Sequence, residues 1–160
     1  PGLRDRDPNR TPMAWTPARN GGFSTAPDPL LVLPPITAPG YDYRVVNVEV
    51  QKQLPGSLLN WHRRMLTCRR LLPALRHGSF RLLHSPHPGV LVYLRCTEAM
   101  TVLVAANVTA AGASLSLDLS EWTGERTREV MWGCEFPPAA AEWFVNLPPY
   151  GFNWLSLIHI

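Results

Sequence analysis

The chain has one lysine, Lys52, and three cysteines, and it has no long apolar run. Each scarcity closes a class of function. With Lys52 alone, fourteen of the fifteen basic residues are arginine. They are spread along the chain instead of gathered into a patch, so a net charge of +3 and a pI near 9.1 do not amount to a nucleic-acid surface. Cys68, Cys96 and Cys134 are an odd number at long, unmatched spacings, which argues against a disulfide framework and a zinc site. They read as buried free thiols of a reducing compartment, so a cytoplasmic location is expected. No apolar stretch approaches the roughly 20 residues that cross a bilayer, and the N-terminus is charged where a secretory leader would be basic and then apolar. Neither a membrane nor a nucleic acid is expected as a partner. At 160 residues the chain is also too short for a (β/α)8 barrel, which needs about 250. One modest domain with an additional segment is the natural reading. The chain opens on Pro1 with no initiator Met, which reads as a fragment or a processed product.

What is present divides in two. Residues 1–56 carry Pro1, Pro8, Pro12, Pro17, Pro27, Pro29, Pro34, Pro35, Pro39 and Pro55, which break any sustained helix or central strand. The same stretch holds Met13, Trp15, Phe23, Leu33, Ile36, Tyr41 and Tyr43, far too many large apolar anchors for a solvated linker. It is expected to be a long irregular segment packed against something larger, and ordered segments of this kind are usually functional. Ser57 then offers an N-cap for a helix running to about Leu72. Leu58, Trp61, Met65, Cys68 and Leu72 form its apolar stripe, Arg63, Arg64 and Arg70 lie off the stripe as a solvated face, and Pro73 and Gly78 close the element.

After Gly78 the period changes to two. Val90, Val92 and Leu94 alternate with Leu91, Tyr93 and Arg95; Val102, Val104, Ala106 and Val108 alternate with Leu103, Ala105 and Asn107. Leu115, Leu117 and Leu119 against Ser114, Ser116 and Asp118 make the clearest half-buried strand. Further short strands are expected over 79–84, 127–132, 142–147 and 151–158, with turn clusters such as Ser85-Pro86-His87-Pro88-Gly89 between them. Seven or so short strands in about eighty residues argue for an antiparallel sandwich. His84 and His87 read as turn histidines, since two ligands do not make a metal site; no metal and no cofactor is expected. Asn107-Val108-Thr109 matches a glycosylation sequon but falls in a strand.

Several strings carry a family resemblance: Arg4-Asp5-Arg6-Asp7 running through Arg10 into Thr11-Pro12-Met13-Ala14-Trp15, then Asn20-Gly21-Gly22-Phe23-Ser24, then Asn47-Val48-Glu49-Val50-Gln51. From about Arg4 to Leu157 the chain resembles the late part of glycoside hydrolase family 13 enzymes. With Leu33-Pro34-Pro35-Ile36 before Tyr41-Asp42-Tyr43, it most resembles those family members that isomerise maltose to trehalose. The resemblance implies an α+β fragment: residues 1–78 as the end of a (β/α)8 barrel, an irregular segment plus its last helix at about 57–72, followed by an antiparallel β-sandwich over 79–160. It implies maltose and trehalose as ligands of the complete enzyme, and the missing barrel portion as a partner. A second copy or a maltose kinase stands as a further associate.

Retaining glycosyl transfer needs two carboxylates about 5–5.5 Å apart. In family 13 these come from middle barrel strands, and none of the twelve acidic residues resembles them in position, so no catalytic residue is assigned and the chain alone is expected to be inactive. The resemblance puts Arg6 first, then Asp5 and Arg10, at the mouth of the barrel as substrate-binding residues, because the planar Arg fork suits vicinal hydroxyls or a pocket carboxylate. For Trp15 packing is expected first, although an exposed Trp could stack on a sugar face. Where the family usually has Gln, this chain has Ala14. Two other readings stay open: a fragment of a family 13 α-glucosidase or oligo-1,6-glucosidase, and a stand-alone carbohydrate-binding β module using Trp122, Trp132, Trp143 and Trp154.

Overall fold

The computed structural model describes residues 10–158. The chain divides between Arg64 and Met65 into two compact units. The second unit holds eight antiparallel strands: β1 (Ser79–Leu82), β2 (Val90–Cys96), β3 (Thr101–Asn107), β4 (Ala113–Leu117), β5 (Arg126–Glu129), β6 (Glu135–Phe136), β7 (Trp143–Leu147) and β8 (Phe152–Ile158). They form one six-stranded sheet in the order β1-β2-β3-β8-β5-β6 and a two-stranded sheet of β4 and β7.

Alternation builds the space between the sheets. Val92, Leu94, Leu103, Leu155 and Leu157 of the large sheet interdigitate with Leu115, Leu117, Trp143, Val145 and Leu147 of the small one. Leu94, Leu103 and Leu155 are wholly enclosed, and each such side chain contributes on the order of 1.5–3 kcal/mol. Strand β4 follows the expected pattern, Ala113, Leu115 and Leu117 inward with Ser114 and Ser116 outward. Strand β3 does not alternate in burial, because it is covered on both faces: Val102 and Val104 pack outward under Ala74 and Leu75. Val108, expected to continue that strand, is exposed beyond its end.

The residues above β3 belong to a short helix, α3 (Pro73–His77), where the sequence reading had Pro73 ending a helix. Proline suits the first helical position because its missing N–H would lack a partner there anyway. Gly78 ends α3 under steric pressure, since a Cβ at that residue would lie 2.5 Å from Ala74 O and 2.8 Å from Cys96 O. Trp122 and Trp143 are buried, Trp154 is half-buried, and Trp132 alone of the four is exposed, so the aromatic platform that a binding module would need is not formed. Asn107 is also buried, its amide donating to Ala111 O (2.7 Å) and Pro148 O (3.0 Å). The sequon therefore serves as an internal brace.

The first unit contains α1 (Val48–Gln53) and the start of α2 (Leu58–Leu71), with irregular backbone before them. Ser57 caps α2 as expected, its Oγ accepting from Asn60 N at 3.2 Å. The apolar stripe of α2 is not enclosed: none of its residues is buried, and Leu58 is 67% exposed. Helix α1 was hidden in the sequence by the prolines on either side of it. Among the described residues, no helix is long and apolar enough to cross a membrane.

Candidate functional site

The segment from Thr11 to Gln51 encloses a cleft of about 250 Å³. Thr11, Pro12, Met13 and Ala14 form one wall; Tyr41, Tyr43, Asn47 and Gln51 line the other. Backbone bonds join the walls. Val48 N donates to Ala14 O and Glu49 N to Trp15 O, both at 3.0 Å, so the first turn of α1 is stitched to the Pro-Met-Ala-Trp strip. The free N–H groups that every helix leaves at its start make this possible.

Two buried asparagines hold the rest. Asn47 caps α1, its Oδ1 accepting from Val50 N at 2.9 Å while its amide donates to Tyr43 O at 2.9 Å. Asn20, in the left-handed region at φ 56°, donates from its amide to Ser24 O (3.1 Å) and Ala26 O (2.9 Å). The carbonyl of Gly21 then accepts from both Trp15 N (2.7 Å) and Thr16 N (3.1 Å). Among the described residues of this unit, burial is confined to Asn20, Gly21 and Asn47. At the far end, Gln51 joins α1 to α2: its Oε1 accepts from Leu59 N, and its carbonyl accepts from Ser57 Oγ and the Asn60 amide.

The cleft wall carries apolar, hydroxyl and amide groups, and none of its described lining residues is a carboxylate. Two of the carboxylates nearby in sequence are engaged elsewhere. Asp28 pairs with Arg19 at 3.0 Å. Asp42 accepts from the side chain and the backbone N–H of Arg44, which together hold its carboxyl down to about 2. Among the described residues, no group of three His, Cys, Asp or Glu could hold a metal ion.

Of the three substrate-binding residues expected from the sequence, Asp5 and Arg6 lie outside the described residues, as does Asp7. Arg10 is described and exposed, one residue before Thr11 of the cleft wall. Of the three, Arg10 alone is described, and it is not itself a lining residue of the cleft. Trp15, where packing was expected, is 51% exposed, because this unit encloses so little of its own apolar surface. Tyr41, Asn47 and Gln51 were not singled out as cleft residues; their signal was the Tyr41-Asp42-Tyr43 and Asn47-Val48-Glu49-Val50-Gln51 strings, and the capping geometry of the second needs the fold to be seen.

Comparison with known proteins places both parts. Residues 80–154 match the model of the maltogenic amylase C-terminal domain. The match is confined to the β-sandwich and takes in just under half of the chain. Beyond this domain, the chain is 42% identical over 159 residues, 97% of its length, to the trehalose synthase/amylase of Mycobacterium tuberculosis, of which it covers 26%. It is 34% identical over 104 residues, 65% of its length and 17% of the relative's, to a probable oligo-1,6-glucosidase of Bacillus subtilis. The trehalose-6-phosphate hydrolase of Bacillus licheniformis, at 20% identity, shares the fold with a TM-score of 0.76 over 98% of this chain and 27% of that one. The solved neighbours are family 13 enzymes, as the sequence resemblance implied. The chain spans about a quarter of the length of the trehalose synthase it matches.

Proposed function

We propose that this chain is the C-terminal part of a family 13 enzyme that isomerises maltose to trehalose by intramolecular α-glucosyl transfer. Residues 1–78 would complete the barrel and 79–160 the accessory β domain. The observation that carries the reading is that similarity to a trehalose synthase extends over 97% of the chain, through the cleft segment as well as the maltogenic amylase C-terminal domain. In this reading the cleft walls and Arg10 belong to the mouth of the substrate pocket, with Asp5 and Arg6 beside it. The two carboxylates that glycosyl transfer needs come from the portion that this chain does not include, and the chain alone is inactive. Asp28 and Asp42, each tied to an arginine, support that division of labour.

The apolar side chains left open in the first unit, among them Met13, Leu30, Val32 and Leu58, fit a segment whose cover is a barrel. Maltose and trehalose are the proposed ligands, the barrel portion the proposed partner, and a second copy or a maltose kinase a further associate. The trehalose synthase/amylase of Mycobacterium tuberculosis offers the test. A chimaera in which this chain replaces the matching quarter is given maltose. Trehalose as main product is the expected outcome; mostly glucose would favour the glucosidase reading.

A further inference from the structure

The six-stranded sheet has two unequal edges. At one, β6 is two residues long and its Glu135 pairs with Arg128 of β5. So short and charged an edge is a poor template for another strand. At the other, β1 runs over Ser79–Leu82 with every residue exposed. Its bonding to β2 fixes which backbone groups face out. Leu83 N donates to Val92 O at 3.0 Å, so the preceding pair, Leu82 with Tyr93, is a non-hydrogen-bonded one, and so is Phe80 with Arg95. The N–H and C=O groups of Phe80 and Leu82 therefore point away from the sheet.

The side chains of this edge are apolar on one face and paired on the other. Phe80 and Leu82 lie on the outer face, opposite Arg95 and Tyr93, and are 60% and 62% exposed. The Phe80 ring stands 5.2 Å from that of Tyr93, and exposed Leu91 continues the patch. Arg81 takes the face toward the core. Its Nη1 donates to both Glu121 oxygens at 3.0 Å, and its guanidinium sits 4.9 Å from the centre of the Trp122 ring. Strand β1 thus lacks the lysine or proline with which edges are commonly blunted, and its one charge is already neutralised.

We infer that β1 docks against β1 of a second copy of this chain, the two strands running antiparallel about a two-fold axis at Arg81. In that register Phe80 of each copy faces Leu82 of the other as a hydrogen-bonded pair, so all the outward backbone groups of both residues find partners. Four apolar side chains then meet on the outer face, where cross-strand pairs stabilise a sheet. The two Arg81 side chains come opposite each other on the inner face, each with its own Glu121, so two carboxylates offset the repulsion of like charges. A second copy is the occupant that this edge itself selects. Pairing β1 with β6 would be head-to-tail and open-ended, whereas pairing β1 with β1 closes as a dimer. The edge lies wholly within the sandwich, so the dimer does not depend on the activity proposed above and is read without a sugar assay.

The test is hydrogen exchange of the full chain across a dilution series, with its mass followed by light scattering. A dimer is expected at high concentration, its Phe80 and Leu82 amides exchanging about tenfold or more slowly than in the diluted monomer. Leu82→Lys sets an ammonium in the seam and is expected to weaken the dimer by about tenfold or more. Leu82→Pro removes an outward N–H that the monomer leaves unbonded, is expected to weaken the dimer by a similar factor, and carries the test should Leu82→Lys fail to fold. In a Cys134→Ser background, Arg81→Cys is expected to form a disulfide between copies on oxidation, because residues facing across the axis have Cα atoms about 4.5 Å apart. A chain that stays monomeric would overturn the inference. So would an oligomer in which the Phe80 and Leu82 amides exchange as fast as in the monomer, the result expected if the open apolar side chains of the first unit drive association. Slow exchange of these amides in a monomeric chimaera would give the edge to the barrel portion and overturn it too.

Discussion

A side chain at Gly21 would collide with Ala14: a Cβ built on Gly21 lies 3.2 Å from Ala14 Cα, at a residue whose φ is +62°. The contact locates the Asn-Gly-Gly turn hard against the Thr-Pro-Met strip, where the Gly21 carbonyl takes the amides of Trp15 and Thr16. Gly21→Ala is therefore expected to loosen the cleft by about 1–2 kcal/mol, the usual cost of a left-handed L-residue. Hydrogen exchange at the Trp15 and Thr16 amides should accelerate by a factor of roughly 5–30, with the sandwich amides unaffected. Unchanged exchange at those two amides would contradict this role for Gly21.

Strand β3, between β2 and β8, contributes Leu103 and Ala105 to the sandwich core. Leu103→Ala removes a fully enclosed side chain and is expected to cost about 2–5 kcal/mol, lowering the melting temperature of the β unit by about 10 °C or more. Leu91→Ala, at a position 47% exposed on the neighbouring strand, should stay within about 0.5 kcal/mol. Similar losses in the two variants would show that the core lies elsewhere.

How much of this was legible in advance varies with the kind of signal. Strand β4 was readable because its outer face is solvated and its sequence alternates in register with its burial. Strand β3 was readable as a strand, while its burial on both faces depends on α3, and Pro73 at the first position of that helix looks in sequence like a terminator. Helix α1 was not legible, since six residues between prolines carry little periodicity and the helix exists through the Asn47 cap and the bonds to Ala14 and Trp15. In the cleft, Thr11, Pro12 and Met13 stood in a family string, but the site residues expected from it were Arg6, Asp5 and Arg10. Tyr41 and Gln51 were not found as partners of those residues, because only the folded loop brings positions so far apart in sequence to opposite walls of one cleft.

Asp42 provides a titration check on the loop. Its carboxyl sits at about 2 instead of the ordinary 3.8, because the charged form accepts from the Arg44 side chain and backbone. A group whose folded value is depressed contributes fully above its ordinary range and loses that contribution as pH falls through the folded value. The Asp42–Arg44 link should therefore persist down through pH 4 and open as the pH falls toward 2. Carboxyl ¹³C NMR should give a midpoint near 2, moving back toward 3.8 in Arg44→Ala. A midpoint near 3.8 in the unaltered chain would refute the pairing.

Arg10 is the one described member of the proposed substrate-binding set. In the active chimaera, Arg10→Ala is expected to lower kcat/KM for maltose by about 10- to 100-fold, the loss of one or two charge-assisted hydrogen bonds. Arg10→Lys should recover little of it, because a single ammonium does not reproduce the planar fork. Wild-type kinetics in Arg10→Ala would remove this residue from the pocket.

The central claim is that this chain supplies pocket wall and β domain while the reacting carboxylates come from elsewhere. Its most direct test is prolonged incubation of the purified chain with maltose at high protein concentration, followed by quantification of trehalose and glucose. The account expects neither sugar above the protein-free control. Turnover that co-purifies with the chain and is abolished by changing one of its own acidic residues would contradict it.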